Sequence, residues 1–148
     1  MNNSTQSSNL QKLIDGLNVD LAHEYAAMIQ YIYNASAVTG LSRQVLKPYF
    51  QKEAKDEMNH ANYLSEKIIN LGGTPDVQPA PVKQLKDVRE IIQHALNQEI
   101  ATIERYKSRL KEADEIGDIA LKNQLEEMIA EETQHKEELE HLLHDSRF

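Results

Sequence analysis

The chain has 148 residues, with 5 Gly, 4 Pro, no Cys and a formal net charge of −8. This length suits one domain with a sizeable core, and so few turn residues favour helix over strand. The charge argues against nucleic acid as a partner and for cations; the lack of cysteine excludes disulfides, thiolate metal sites and cysteine nucleophiles.

Residues 1–9 are polar and lack the apolar stretch of a signal peptide, so they read as a flexible tail ahead of a single domain over 10–148. No apolar run is long enough to cross a membrane, and the expected location is the cytoplasm.

A first helix is predicted after the cap candidates Ser7, Ser8 and Asn9, stopping near Gly40. Its inward seam is Leu10, Ile14, Leu17, Leu21, Glu24, Met28, Tyr31, Ala35 and Val38, with steps alternating between four and three residues as in a helical bundle. A second helix starts near Ser42 and ends at Gly72-Gly73, with the seam Phe50, Ala54, Glu57, Ala61, Leu64, Ile68 and Leu71. Pro48 is expected to delay its start or kink its first turns. A third helix runs from about Leu85 to Ala113 with the seam Ile92, Leu96, Glu99, Ile103, Tyr106, Leu110 and Ala113. A fourth follows Gly117-Asp118 with the seam Leu121, Leu125, Met128, Glu132, His135, Leu139 and Leu142.

The first and third connections are short, so each joins an antiparallel pair. The middle connection holds Pro75, Pro79 and Pro81 and reads as extended. About 13 extended residues span ~45 Å, the length of a helix of about 30 residues. The segment can therefore cross the whole bundle and leave the second and third helices parallel. The expected fold is all-α: an antiparallel four-helix bundle with one long crossover.

The apolar seams break at Glu24, Glu57, Glu99, Glu132 and His135, and His60 sits one turn after Glu57. A buried unpaired carboxylate costs several kcal/mol even after relaxation, so something must compensate. An internal repeat shows what. Adding 75 to Glu24, Glu57 and His60 gives Glu99, Glu132 and His135, and the same offset carries Leu21 to Leu96, Tyr31 to Tyr106 and Leu64 to Leu139. A pseudo-two-fold axis between the two hairpins would place all six polar residues at one depth. Residues i and i+3 share a helix face, so a Glu-x-x-His pair can serve one metal. Carboxylates with one imidazole per metal suit iron or manganese better than copper or a structural zinc. A second Glu-x-x-His pair, Glu138 and His141, lies off the seam; its offset mates are Tyr63 and Glu66, and it reads as surface. His23 and His94 also lie off the seams. Tyr31 and Tyr106 are placed to hydrogen-bond the Glu ligands or to relay an electron; an ordinary buried Tyr with a satisfied hydroxyl is the other reading.

Glu24 with Tyr31, the run Asp56-Glu57-Met58-Asn59-His60-Ala61, the turn Leu71-Gly72-Gly73-Thr74-Pro75 and the run Glu132-Thr133-Gln134-His135 resemble bacterioferritin motifs, and the likeness to the bacterioferritin and ferritin family covers nearly the whole chain. The resemblance implies a ferritin-like bundle holding two iron ions. Glu57 and Glu132 would bridge them, and Glu24 with His60 and Glu99 with His135 would be terminal ligands. It implies a ferroxidase that oxidises Fe(II) with oxygen or hydrogen peroxide, within a homo-oligomer. Only 13 residues follow His135, so the fifth helix of the 24-subunit shells is not expected. Dps-like miniferritins build shells without it, but the cysteine pair of the thioferritins among them is absent here; a dimer is the other expectation. In bacterioferritins the Met after the bridging Glu ligates haem between paired subunits, which makes Met58 a candidate haem ligand. Its flank on its own helix (Gln51, Lys55, Asn62 and Ser65) is polar, and packing in a dimer contact is the favoured reading of this residue. Two other functions fit the pattern: a manganese catalase or rubrerythrin-like peroxide-reducing enzyme, and an assembly module whose polar layer only fixes helix register.

Overall fold

The seams fold as four α-helices, α1 (Asn3–Ala37), α2 (Arg43–Asn70), α3 (Val88–Ile116) and α4 (Ile119–Leu143). The computed structural model describes residues 2–148 and contains no strand among them. The topology is the expected one. Helices α1 and α2 form one antiparallel hairpin, α3 and α4 the other, and α1 packs beside α3. Among the described residues no helix is long and apolar enough to cross a membrane.

The first helix starts earlier than expected. Residues 3–9, read from sequence as a tail, are the opening turns of α1, and Asn2 is the cap, accepting from the Ser4 N–H at 3.5 Å. Nothing before Gly16 breaks a helix, so the exposed polar residues simply extend it. Met1, the first residue of that tail, lies outside the described residues. Pro48 does not delay α2, which runs through it from Arg43. Arg43 reaches back to the carbonyls of Ser36 and Val38 at 3.0 and 2.9 Å, satisfying acceptors at the end of α1. Helix α3 starts three residues later than predicted, because Asp87 caps it by accepting from the Glu90 N–H at 3.0 Å. Helices α2 and α3 end the same way. Gly72 and Gly117 take positive φ, and the next residue's N–H returns to Ile68 and Ala113 at 2.9 and 3.0 Å.

The crossover, residues 71–87, is fastened along a polar stripe of α1. The Asn18 amide donates to the Thr74 carbonyl at 3.1 Å and accepts from the Asp76 N–H at 2.7 Å. The Ala80 N–H donates to the Ala22 carbonyl at 2.9 Å. Gln30 both donates to and accepts from the Lys83 backbone at 2.7 Å, and the Tyr33 hydroxyl donates to the Leu85 carbonyl at 2.8 Å. These side chains give extended backbone the partners that a neighbouring strand would otherwise supply.

The core is two apolar clusters with a polar layer between them. One holds Leu17, Leu21, Leu64, Ile68, Tyr106, Leu121, Leu125 and Met128; the other holds Tyr31, Val38, Leu46, Phe50, Ile91, Ile92 and Leu139. Near the first cluster, the Arg109 guanidinium lies across Gly16 and joins two buried acids, Asp20 at 2.9 Å and Glu112 at 2.6 Å. Burial pushes the Asp20 carboxyl up to about 6, against the pull of Arg109 and Arg105.

A Cβ on residue 16 would collide with that guanidinium. Gly16→Ala should therefore displace the flexible Arg109 side chain from Asp20 and leave Arg105 as its partner. The lost charge-assisted hydrogen bond, worth about 1.5–3 kcal/mol, is partly offset by about 1 kcal/mol of helix propensity gained over glycine, a net cost of about 1 kcal/mol. In an Arg109→Ala background the same substitution should stabilise by up to about 1 kcal/mol, because helix propensity acts with nothing left to collide with. Chemical denaturation of the four proteins checks this, and equal costs in both backgrounds would contradict it.

Candidate metal centre

Seven side chains meet in the polar layer. Helix α1 supplies Glu24, α2 supplies Glu53, Glu57 and His60, α3 supplies Glu99, and α4 supplies Glu132 and His135. None is more than 5% exposed. All six residues expected from the sequence are brought together, and Glu53 is added to them.

The distances describe two half-sites. His60 Nδ1 lies 3.0 Å from Glu132 Oε1, 3.7 Å from Glu57 Oε2 and 3.8 Å from Glu24 Oε2. His135 Nδ1 lies 2.7 Å from Glu53 Oε2, 3.6 Å from Glu57 Oε1, 3.7 Å from Glu132 Oε2 and 3.8 Å from Glu99 Oε1. Glu57 and Glu132 thus each turn one oxygen toward each imidazole. Glu24, Glu57, His60 and Glu132 form one group whose ligand atoms lie within 4.8 Å of one another; Glu53, Glu57, Glu99 and His135 form a second.

A surrounding set of contacts holds these side chains. The outward Nε2 of His60 meets Glu131 at 2.6 Å, and that of His135 meets Asp56 at 3.3 Å. Each acid comes from the opposite hairpin, and the two are related by the same 75-residue offset. An outward carboxylate fixes the ring and leaves Nδ1 facing the layer. The Tyr31 hydroxyl donates to Glu99 Oε1 at 2.5 Å, and the Tyr106 hydroxyl donates to Glu24. Burial, with nearby Glu57 and Glu53 for Tyr31 and with Glu24 for Tyr106, holds both phenols well above their usual range, so both remain donors.

The interior of the layer is unsatisfied. Glu24 Oε2, Glu53 Oε2, Glu57 Oε1, Glu99 Oε2, Glu132 Oε1 and both imidazole Nδ1 atoms are buried without a hydrogen-bond partner. Buried polar atoms are rarely orphaned, and so many at one place call for a bound species. Oxygen donors with one imidazole per half-site fit two hard or borderline divalent cations. Without them, protons take their place. Burial, then the charge of Glu57, pushes the Glu24 carboxyl up to about 8. Burial opposes charge on both imidazoles, but the carboxylates gathered around them override it and raise their pKa values, Glu132, Glu24 and Glu57 at His60 and Glu132, Glu53 and Glu57 at His135.

Glu53 was not found from the sequence. It stands one turn before Glu57 on α2, but its offset mate is Met128, so the repeat that picks out the other six passes over it. Asp56 and Glu131 were not found either; they obey the repeat, the one signal in the sequence that points to them. The second Glu-x-x-His pair, Glu138 and His141, is exposed, and half-buried His23 and His94 belong to neither group. Around Met58 the sequence expectation is corrected: its flank is not wholly polar. Helix α1 adds Met28, Ile32 and Ala35 to a groove with Ala54 and Met58, so half-buried Met28, expected on the inward seam, lines this groove and joins neither apolar cluster. Met58 is 45% exposed there and Ile32 55%.

The family model for a ferritin-like domain matches residues 14–148. The bacterioferritin of Desulfovibrio desulfuricans is 35% identical over 125 residues, covering 84% of this chain and 70% of that protein. Its crystal structure, with the diiron site in different catalytic states, superposes with a TM-score of 0.87 at 32% identity over 97% of this chain and 83% of that one. A ferritin-like, diiron-carboxylate protein from Bacillus anthracis gives a TM-score of 0.90 at 49% identity, covering 97% of this chain and 99% of that one. The bacterioferritin of Rhodobacter capsulatus, with a metal-free dinuclear site and a heme iron in a crystallographic special position, gives 0.80 at 28% identity over 90% of this chain and 84% of that one.

Filling the layer at pH 7 should release about three protons per chain, one from each imidazolium and one from Glu24. An indicator-dye titration of metal-free protein with Zn(II) or Mn(II) measures this. Release of less than one proton would mean that the layer is already ionised without metal.

Proposed function

We propose that this chain, which belongs to the ferritin-like family and stands close to the bacterioferritins, is a ferroxidase that binds two Fe(II) ions in its polar layer and oxidises them with oxygen or hydrogen peroxide. One observation carries the reading: the orphaned atoms form two ligand groups that share Glu57. The bacterioferritin and diiron-carboxylate relatives support iron as the metal.

In this reading Glu57 and Glu132 bridge the two ions, since each faces both imidazoles. Glu24 with His60, and Glu99 with His135, complete the two ends. Two ferrous ions together supply the two electrons that reduce one peroxide, with two protons, to two waters. The protein's part is positioning and charge. Asp56 and Glu131 hold the imidazoles, and Tyr31 and Tyr106 hold Glu99 and Glu24, so the donors are set before iron arrives. Five carboxylates leave a surplus of negative charge around two Fe(II) ions, which favours the ferric pair.

The groove at Met58 supports a second ligand. A thioether beside an apolar wall of Met28, Ile32 and Ala35 offers haem an axial donor and a nonpolar seat, to be completed by a second copy of the chain.

Fe(II) under anaerobic conditions, or Mn(II), Co(II) or Zn(II), should raise the melting temperature and saturate near about two ions per chain. A melting curve indifferent to all four metals would remove the site. Stopped-flow oxidation of Fe(II) should show a fast phase that Glu57→Ala or Glu132→Ala abolishes and His141→Ala leaves intact; steady oxygen release from peroxide would instead identify a catalase. Reconstitution with haem should give about one haem per two chains, with a Soret band that Met58→Ala removes while Fe(II) oxidation survives. Protein that leaves gel filtration colourless would make Met58 a packing residue.

A further inference from the structure

The 75-residue repeat holds throughout the polar layer: Glu24 with Glu99, Glu57 with Glu132, His60 with His135, Tyr31 with Tyr106, Asp56 with Glu131. Among the carboxylates whose oxygens approach an imidazole Nδ1 it fails at one position. Glu53, 1% exposed, has Met128 as its mate, and Met128 is fully buried in an apolar cluster with Leu121 and Leu125. The two halves of the centre are therefore chemically different. The half around His60 has no counterpart of Glu53.

Glu53 is paired with the imidazole more closely than with a lysine. Its Oε2 lies 2.7 Å from His135 Nδ1, the shortest approach of any carboxylate to either Nδ1, and otherwise lacks a hydrogen-bond partner. Its other oxygen is 3.9 Å from the Nζ of Lys52, an exposed side chain whose closer partner is Asp56 at 3.0 Å. The remaining donors of this half, Glu57 Oε1, Glu99 Oε2 and His135 Nδ1, are orphaned as well, and all face inward.

We infer that the two metal positions are inequivalent: the one formed by Glu53, Glu57, Glu99 and His135 binds more tightly and fills first, with Glu53 as an added ligand. The argument is local charge. Both positions share Glu57 and Glu132 between their imidazoles, and each has one terminal Glu and one His. Only the His135 position has a further carboxylate within reach, and another hard anionic donor raises affinity for a hard divalent cation. Because the bridging acids are shared, the first ion also neutralises charge that the second would have used, which widens the gap. The inference rests on the proposal that the layer takes two divalent ions.

The test is calorimetric titration of the metal-free full chain with Co(II), followed in parallel by the d–d absorption of cobalt. The wild-type protein should bind in two steps, the first about tenfold or more tighter than the second, as loss or gain of one coordinating or orienting carboxylate commonly brings. Glu53→Gln should weaken the first step toward the second and change the absorption of the first ion, while the total stays at two. Glu24→Gln should weaken only the second step. Should the Gln variant at 53 fail to fold, Glu53→Asp, which withdraws the charge from His135 by one methylene, should shift the first step in the same direction. Two wild-type ions of equal affinity, or a Glu53→Gln titration that overlays the wild type, would overturn the inequivalence and leave the two-metal centre standing. A wild-type protein that takes up no Co(II) would overturn the centre itself.

Discussion

Everything in this fold answers to five carboxylates buried at one depth of a helical bundle. Each would lose its hydration, and at that spacing each repels the others. A bundle that simply hid them would not be stable with all five ionised. Raised pKa values at both imidazoles and at Glu24 favour protons that offset part of the charge, and the inward atoms remain without partners. The layer is thus an unsatisfied arrangement of a kind that a pair of bound cations would relieve. The apolar clusters above and below supply the burial that holds the helices together across it.

The two-fold repeat explains how so many donors reach one place from four helices. Each hairpin brings one Glu on its first helix and a Glu-x-x-His pair on its second, and the hairpins complete each other. Tyr31 of one holds Glu99 of the other, Tyr106 holds Glu24, and the acid before each bridging Glu steadies the imidazole across the bundle. No hairpin has a whole site, so the contacts that orient the ligands also join the halves. Departures from the repeat mark where the halves took different tasks. Glu53 faces Met128 across the axis and adds charge to one end. Asp20 corresponds to Ala95, and its ion pairs with Arg105 and Arg109 lie to one side of the layer. Met58 corresponds to Thr133 and opens an apolar groove on one hairpin only.

Joining the hairpins so that their ligands meet requires α2 and α3 to run parallel, and the crossover provides it. Its proline-rich backbone forms no ladder of its own. It takes its hydrogen bonds from Asn18, Ala22, Gln30 and Tyr33, a stripe of α1 that faces away from α2. Helix α1 therefore serves four partners at once: α2 and α3 through its apolar residues, the polar layer through Glu24, and the crossover through its amides, the Ala22 carbonyl and one phenol.

The sequence by itself determined the helices, their inward seams, the single long crossover and six of the seven residues in the layer. Those features are periodic or repeated, and periodicity along one chain reports which face each residue occupies. It also separated the buried Glu-x-x-His pairs from exposed Glu138 and His141, because only the former have their Glu on a seam. What only the tertiary structure decided concerns meetings between helices. Glu53 occupies a position next to its seam, and its inclusion depends on how closely α2 approaches α4. Asp56 and Glu131 look like solvated surface acids until the opposite hairpin presents an imidazole to each. The flank of Met58 is polar on α2, and α1 supplies the apolar side chains. The early start of α1 was hidden for a different reason: polar residues without a glycine or proline among them carry no stop signal, so their helix is set by a cap at Asn2 rather than by any seam.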